Sequence, residues 1–176
     1  MEIYIIHDEK NVITAVSTSP IGDNPIAVEV ETMEIFENPS AYRYIDGQVV
    51  KDESLILEIA KTKKMSDLGT ECDNTILGRF KATIDGVEYL FSNDSVAQAN
   101  FDKLMFAFDK GFLTEIRWTA YDMEGNVVRV LITPPTMITL FVAHLTHIQE
   151  NIVKLRDILQ PQVESATVEE LELITW

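Results

Sequence analysis

One cysteine, Cys72, is all the thiol chemistry this chain has. An internal disulfide framework is therefore excluded, and the composition suits a reducing compartment. Long apolar runs are missing too: no stretch reaches the roughly 18 residues needed to cross a bilayer, so no membrane partner is expected. The opening residues MEIYIIHDEK lack a basic region, a sustained apolar run and a small-residue cleavage site, and no secretory signal is expected. Glycines are few and dispersed, seven in 176 residues, and no GxGxxG or GxxxxGK loop is present to wrap a phosphate. Cationic residues are short as well: 14 Lys and Arg stand against 29 Asp and Glu, for a net charge of −15. Nucleic-acid binding needs a cationic face. Here the basic residues scatter along the chain, and the one local cluster, Lys61, Lys63 and Lys64, reads as the solvated side of a helix. No nucleic-acid partner is expected; the acidity favours solubility, or a complementary basic partner.

What the chain does have is patterning. At 46% hydrophobic and 24% charged it is globular, with length enough for one core or two small ones. MEIYIIH alternates and is rich in β-branched residues, Asp8–Asn11 is a polar turn, and VITAVST is a second strand. After a loop at Ser19–Pro25, IAVEVE alternates with Ile26, Val28 and Val30 on one face. MEIFENP gives one helical turn halted by Pro39, and AYRYIDGQVVK folds back at Asp46-Gly47. Residues 1–51 are thus expected to form a small antiparallel β meander. Residues 52–77 read as a connecting helix: Leu55, Ile56, Ile59, Met65 and Leu68 recur at spacings of three and four, with Asp52 or Ser54 as cap. Gly69 allows a kink or break, and the natural point of division lies near residue 66.

Residues 78–176 are expected as a second domain. Asp85-Gly86 and Glu124-Gly125-Asn126 turn two hairpins, over Phe80–Phe91 and Glu115–Ile132. In the second, Ile116, Trp118 and Ala120 share one face while Arg117, Thr119 and Tyr121 occupy the other. Asn93 or Asp94 caps a helix whose Phe101, Leu104, Met105 and Phe108 make a bulky apolar stripe. Thr133 before Pro134-Pro135 starts a long helix. Val142, Leu145, Ile148, Ile152, Leu155 and Leu159 recur along it until Pro161 ends it. The fold class is therefore α+β: a small N-terminal meander, a connecting helix, and a C-terminal domain of two hairpins packed with helices, one of them long.

Recognisable chemistry is scarce. His144 and His147 make an HxxH on the long helix, but neither the i,i+4 spacing nor the glutamate of a helical zinc site is there, and a structural role is expected for both. Cys72, within ECDNTILG, has no base or orienting group nearby. The serines at 17–19 and 92–95 lie in turns without a GxSxG elbow. No catalytic residue, cofactor or metal is expected. Tyr42, Tyr44, Tyr89, Phe91, Trp118 and Tyr121 all fall on strands, where core packing competes with a saccharide-stacking role. The long helix has length to spare for a neighbouring subunit. Trp176 follows an acidic amphipathic segment (Val168, Leu171, Ile174) and is expected to dock on its own domain or a neighbour. Leu145, Ile148, Ile152 and Leu155, with Leu171, Ile174 and Trp176, make up the expected interface.

The order of these elements carries one resemblance. MEIYIIHDEKNVITAV, PIAVEVETMEIFENPSAYRYIDGQVVK and the charged helix after them resemble the small N-terminal module of tail-fibre and tail-associated proteins from phages and prophages of Gram-positive bacteria. IDGVEYLFSNDSVAQANFDKL, IRWTAYDMEGNVVRVLI, FVAHLTHIQENIVKLRDIL and TVEELELITW resemble an uncharacterised domain at the C-termini of similar phage proteins. The resemblance implies a non-enzymatic structural or accessory subunit of a tail tip, baseplate or fibre. Its partners would be other tail proteins and further copies of itself, with a host-surface saccharide as a further candidate. It would be found in the host cytoplasm during assembly and then in the virion tail. An assembly factor that leaves before maturation, and a small polysaccharide hydrolase, are the alternatives.

Overall fold

The computed structural model describes residues 1–176. The fold is α+β, with antiparallel strands first, then a helix, then a hairpin-built sheet with helices. By contact the residues divide into two compact units: Met1–Met65 with Val163–Ile174, and Ser66–Gln162 with Thr175–Trp176.

In the first unit, β1 (Glu2–His7) lies between β2 (Ile13–Ser17) and β3 (Ile26–Glu29) in an antiparallel sheet. Alternation sends Ile3 and Ile5 of β1 inward with Ile13 and Val28, and Ile35 from a short 3-10 turn joins this core. A separate hairpin of β4 (Tyr42–Ile45) and β5 (Gln48–Lys51) closes through Asp46 and Gly47, whose φ angles are 50° and 86°. Such a turn needs two left-handed residues in succession, which the Asp-Gly pair supplies. Arg43 fastens the parts together. Its Nη1 donates to Lys10 O at 2.7 Å and its Nε to Asp52 Oδ2 at 2.7 Å. The other carboxylate oxygen of Asp52 accepts from Ser54 N at 2.9 Å and so caps α1 (Glu53–Ile76). Gly69 does not break that helix, which runs through it without interruption.

The C-terminal segment Val163–Ile174 groups with this first unit, whereas the sequence pattern assigns all of 78–176 to one domain. Val163, Ala166 and Leu171 are buried. Lys61 Nζ donates to Glu164 O at 2.6 Å and Lys64 Nζ to Ile174 O at 3.2 Å. These two lysines therefore do not form a purely solvated helix side: their stems are half-buried and their ammonium groups satisfy carbonyls of the returning chain. Within the segment, Thr167 and Glu170 cap α5 (Val168–Leu171) reciprocally.

The second unit is built on the sheet β6-β7-β8-β9, with β6 at Arg79–Ile84, β7 at Val87–Ser92, β8 at Ile116–Tyr121 and β9 at Val127–Ile132. One face is apolar. Phe80, Ala82, Ile84, Phe91, Ala120, Val130 and Ile132 bury against Phe101, Leu104 and Phe108 of α2 (Ser95–Asp109) and Met137 and Leu140 of α3 (Pro134–Val153). Asp94 caps α2 through Val96 N and Ala97 N, at 3.0 and 2.9 Å. No helix covers the opposite face of the sheet, and Arg79, Lys81, Thr83, Arg117, Thr119, Val127, Arg129 and Leu131 are exposed there.

The long helix does not end at Pro161. From α3 it passes through a π-helical turn, Lys154–Leu159, into α4 (Gln160–Ser165), with Pro161 inside α4. Proline lacks an N–H and its ring crowds the carbonyl four residues back, which is why a stop is expected. Here the preceding turn is wider, closed by Gln160 N onto Leu155 O, five residues back. The proline thus falls in the first turn of a restarted α-helix, where it is tolerated.

Candidate functional site

The spacing of α3 divides its side chains into a covered and an uncovered strip. Met137 and Leu140 are fully buried, with His144 6% exposed one turn further on. Rotated away from them, Ile138, Val142 and Leu145 follow spacings of four and three and are 57%, 55% and 48% exposed. Between Pro134 and Gln149 there is no Lys, Arg, Asp or Glu, so the strip is apolar and uncharged. The expected interface residues separate accordingly. Leu145 is open to solvent; Ile148, Ile152 and Leu155 are half-buried. Leu171 is 3% exposed within the chain itself, so it does not present a surface. Ile174 is half-buried, and Trp176, also half-buried, lies under the ammonium of Lys154 at 4.4 Å, a cation–π contact made within its own unit.

The two histidines are structural partners of the end of α1. Asn93, fully buried, donates from Nδ2 to Ile76 O at 2.6 Å. Its Oδ1 is then left to accept, and His144 Nδ1 lies 2.6 Å away, so that nitrogen carries the proton. His147 Nε2 donates to Thr75 O at 3.0 Å. Both carbonyls belong to the last turn of α1, where orphan acceptors otherwise face the interior. Burial pushes the pKa of His144 down; Asp102 opposes this and His147 adds to it. Burial also pushes the Cys72 thiol up, with Asp73 adding and Arg156 opposing, and Cys72 Sγ faces Asn151 O at 3.6 Å. A raised thiol pKa is the reverse of what a nucleophile needs.

Elsewhere the side chains converge less. No group of three or more His, Cys, Asp or Glu is placed to hold a metal, and no helix is long and apolar enough to cross a membrane. The strand aromatics largely meet protein: Trp118 stacks on Phe101 at 5.0 Å and 8°, Tyr44 on His7 at 5.4 Å, and Phe91 is buried. Asp52 and Asp122 are held below the usual carboxylate range, mainly by the Ser54 hydroxyl and then Arg43 for the first, and by the Asn126 side chain for the second. Both are cap or turn residues, which explains the shifts without any chemistry.

One grouping escapes a reading along the chain. Four of the 14 basic residues, scattered in sequence, come together in space: Arg79 and Lys81 on β6, Arg117 on β8 and Arg129 on β9 share the open face of the second unit's sheet. The signal lay in the strand alternation of the two hairpins. Finding it required knowing that the hairpins join into one sheet, through the pair Leu90 and Tyr121.

No curated protein and no solved structure matches the chain. A family model does match, over residues 59–175, well beyond half of the chain, and the protein accordingly belongs to the family described as a domain of unknown function, DUF4376.

Proposed function

We propose that this protein is a non-enzymatic accessory component of a bacteriophage tail, at the tail tip, baseplate or fibre, working through protein–protein contacts. The observation that carries the reading is the uncharged strip Ile138, Val142 and Leu145 on α3. Each of these side chains gains roughly 25 cal/mol per Å² of apolar surface when a partner covers it. On a chain of net charge −15, an uncharged helix face is also where two like-charged copies meet with least repulsion. Self-association along α3 follows as the first contact, with other tail proteins as further partners. The phage setting draws on the resemblance of the meander and of the TVEELELITW tail to phage tail-associated proteins.

The test is quantitative mass spectrometry of purified particles from a phage or induced prophage that encodes the protein. A reproducible number of copies per particle supports a tail component. Abundance in the lysate with absence from clean particles turns the assignment to an assembly factor that leaves before maturation. Production outside any phage context overturns both.

A further inference from the structure

We infer that the open face of the second unit's sheet is a docking surface for an acidic, amphipathic segment of a partner protein. The inference stands apart from the tail assignment and holds or fails without it.

Four cations meet on this face: Arg79, Lys81, Arg117 and Arg129, all exposed. Acids outnumber bases by 29 to 14, so a basic side chain in this chain is seldom far from a carboxylate in sequence. Lys81 does pair, with Glu88 at 3.4 Å. The three arginines make no ion pair. They are held in place by neutral groups instead. Arg129 lies across the strands, donating to Arg117 O at 2.6 Å and to Thr119 Oγ1 at 3.1 Å. Arg79 rests over the Tyr121 ring at 3.5 Å. Guanidinium groups fixed in this way, with donors to spare, are preorganised for carboxylates.

The face continues into a cleft. β7 and β8 are bridged by the single pair Leu90 and Tyr121; beyond it they part, and a cleft of about 520 Å³ opens, lined by Ser92, Arg117 and Thr119 with Asp94 and Lys103 from the α2 side. A carboxylate entering there meets Arg117 and Lys103, while the one carboxylate already in the lining, Asp94, is engaged by the Val96 and Ala97 amides at the start of α2.

A protein segment fits this surface better than a nucleic acid does. Single-stranded nucleic acid is held largely by bases stacking on free aromatic faces. The aromatic ring of this face, Tyr121, is already covered by Arg79. A net charge of −15 also repels a polyphosphate at long range. Val127 and Leu131, 67% and 41% exposed, alternate with the cations and favour a ligand in which acidic and apolar side chains alternate.

The test uses the full chain and a fluorescein-labelled peptide of alternating glutamate and leucine, followed by anisotropy, with labelled oligo-dT as the competitor class. The peptide is expected to bind at low salt and to weaken as salt is raised. The double variant R117E/R129E should bind about tenfold more weakly or worse. Because Arg129 also braces β8, K81E, whose partner is only Glu88, serves as a milder second variant and should weaken binding in the same direction. K51E, which changes net charge equally from outside this face, should bind as the parent does. Absence of peptide binding by the parent protein overturns the proposal. So does equal weakening by K51E, or tighter binding of oligo-dT than of the peptide.

Discussion

His144 and Asn93 stand 51 positions apart in sequence, yet His144 Nδ1 and Asn93 Oδ1 lie 2.6 Å apart inside the second unit. The bond matters through what it completes. Asn93 also satisfies Ile76 O with its amide nitrogen at 2.6 Å and Gly78 O with its backbone N–H at 2.9 Å. One buried asparagine thereby joins the end of α1, the end of β7 and the middle of α3.

Replacing that asparagine by leucine is expected to be among the costlier single changes. Asn93→Leu has nearly the right size, but it leaves the Ile76 carbonyl and the His144 Nδ1–H unpaired in the interior. Each orphan costs about 1–3 kcal/mol, so a loss of roughly 2–6 kcal/mol is expected in urea unfolding. A loss below about 1 kcal/mol would mean that water enters and replaces both bonds.

The same pair sets a pH dependence. Burial holds His144 below the ordinary histidine value near 6.5, while in the unfolded chain it titrates close to that value. Between the two values the unfolded state binds more protons, so stability falls as pH is lowered. The contribution is complete above about pH 6.5 and is lost as pH drops through the folded-state value. Thermal melts from pH 8 to pH 5 should show Tm declining once pH passes below about 6.5. His144→Gln keeps a donor toward Asn93 and should remove part of that slope. An unchanged slope in the variant would place its origin elsewhere.

How much of this was legible beforehand differs from one element to the next. The alternation in IAVEVE and IRWTAY and the Asp-Gly turns gave the strands and their buried faces, because side-chain period and turn chemistry are local properties. A cap for α2 at Asn93 or Asp94, which the fold settles on Asp94, and Thr133 before two prolines were equally local. The role of Asn93 was not, since its partners lie 17 and 51 positions away. Pro161 misled for a related reason: its stop signal is local, but the wide turn that absorbs it lies in the preceding residues. The α3 repeat was visible, yet periodicity could not say which side the sheet would cover. Leu145 and Leu140 look alike in sequence and differ only in what faces them.

Asp52 ties a local cap to a tertiary contact. Its carboxyl is held well below the usual range by the Ser54 hydroxyl first and the Arg43 guanidinium second. A depressed carboxyl stabilises the fold above its ordinary pKa, and the contribution is lost as pH falls through the folded-state value. Asp52→Ala should therefore lower Tm at neutral pH and have a smaller effect in strong acid. Hydrogen exchange gives the local reading: the amides of Ser54 and Leu55, which Asp52 accepts at 2.9 and 3.4 Å, should exchange faster in the variant. Unaltered exchange there would show that the first turn of α1 is held by packing alone.

Removal of Val168–Trp176 separates a lid from an intermolecular clasp. Leu171 is 3% exposed and Trp176 is engaged by Lys154, so the segment acts on its own chain. Truncation after Thr167 is expected to lower Tm and leave the sedimentation of the protein unchanged. The loss of one buried leucine corresponds to about 2–5 kcal/mol. A truncated chain that melts normally but sediments as a smaller species would reverse the assignment and make the segment a clasp.

The two strips of α3 give the sharpest contrast, because they lie on one helix and differ only in direction. Leu140 is fully buried against the sheet, and Leu140→Ala should cost about 2–5 kcal/mol by lost transfer energy and the cavity left behind. Val142 and Leu145 are 55% and 48% exposed, and changing either to Glu should alter monomer stability by no more than about 0.5 kcal/mol. If α3 is where copies of the chain meet, the glutamate variants should sediment as monomers at concentrations where the parent protein associates. Each places an ionised carboxylate in a dry contact, where desolvation is opposed by no partner charge. If the parent is itself monomeric throughout, the strip serves a different protein, and the same variants should then lose that partner while keeping the parent's Tm.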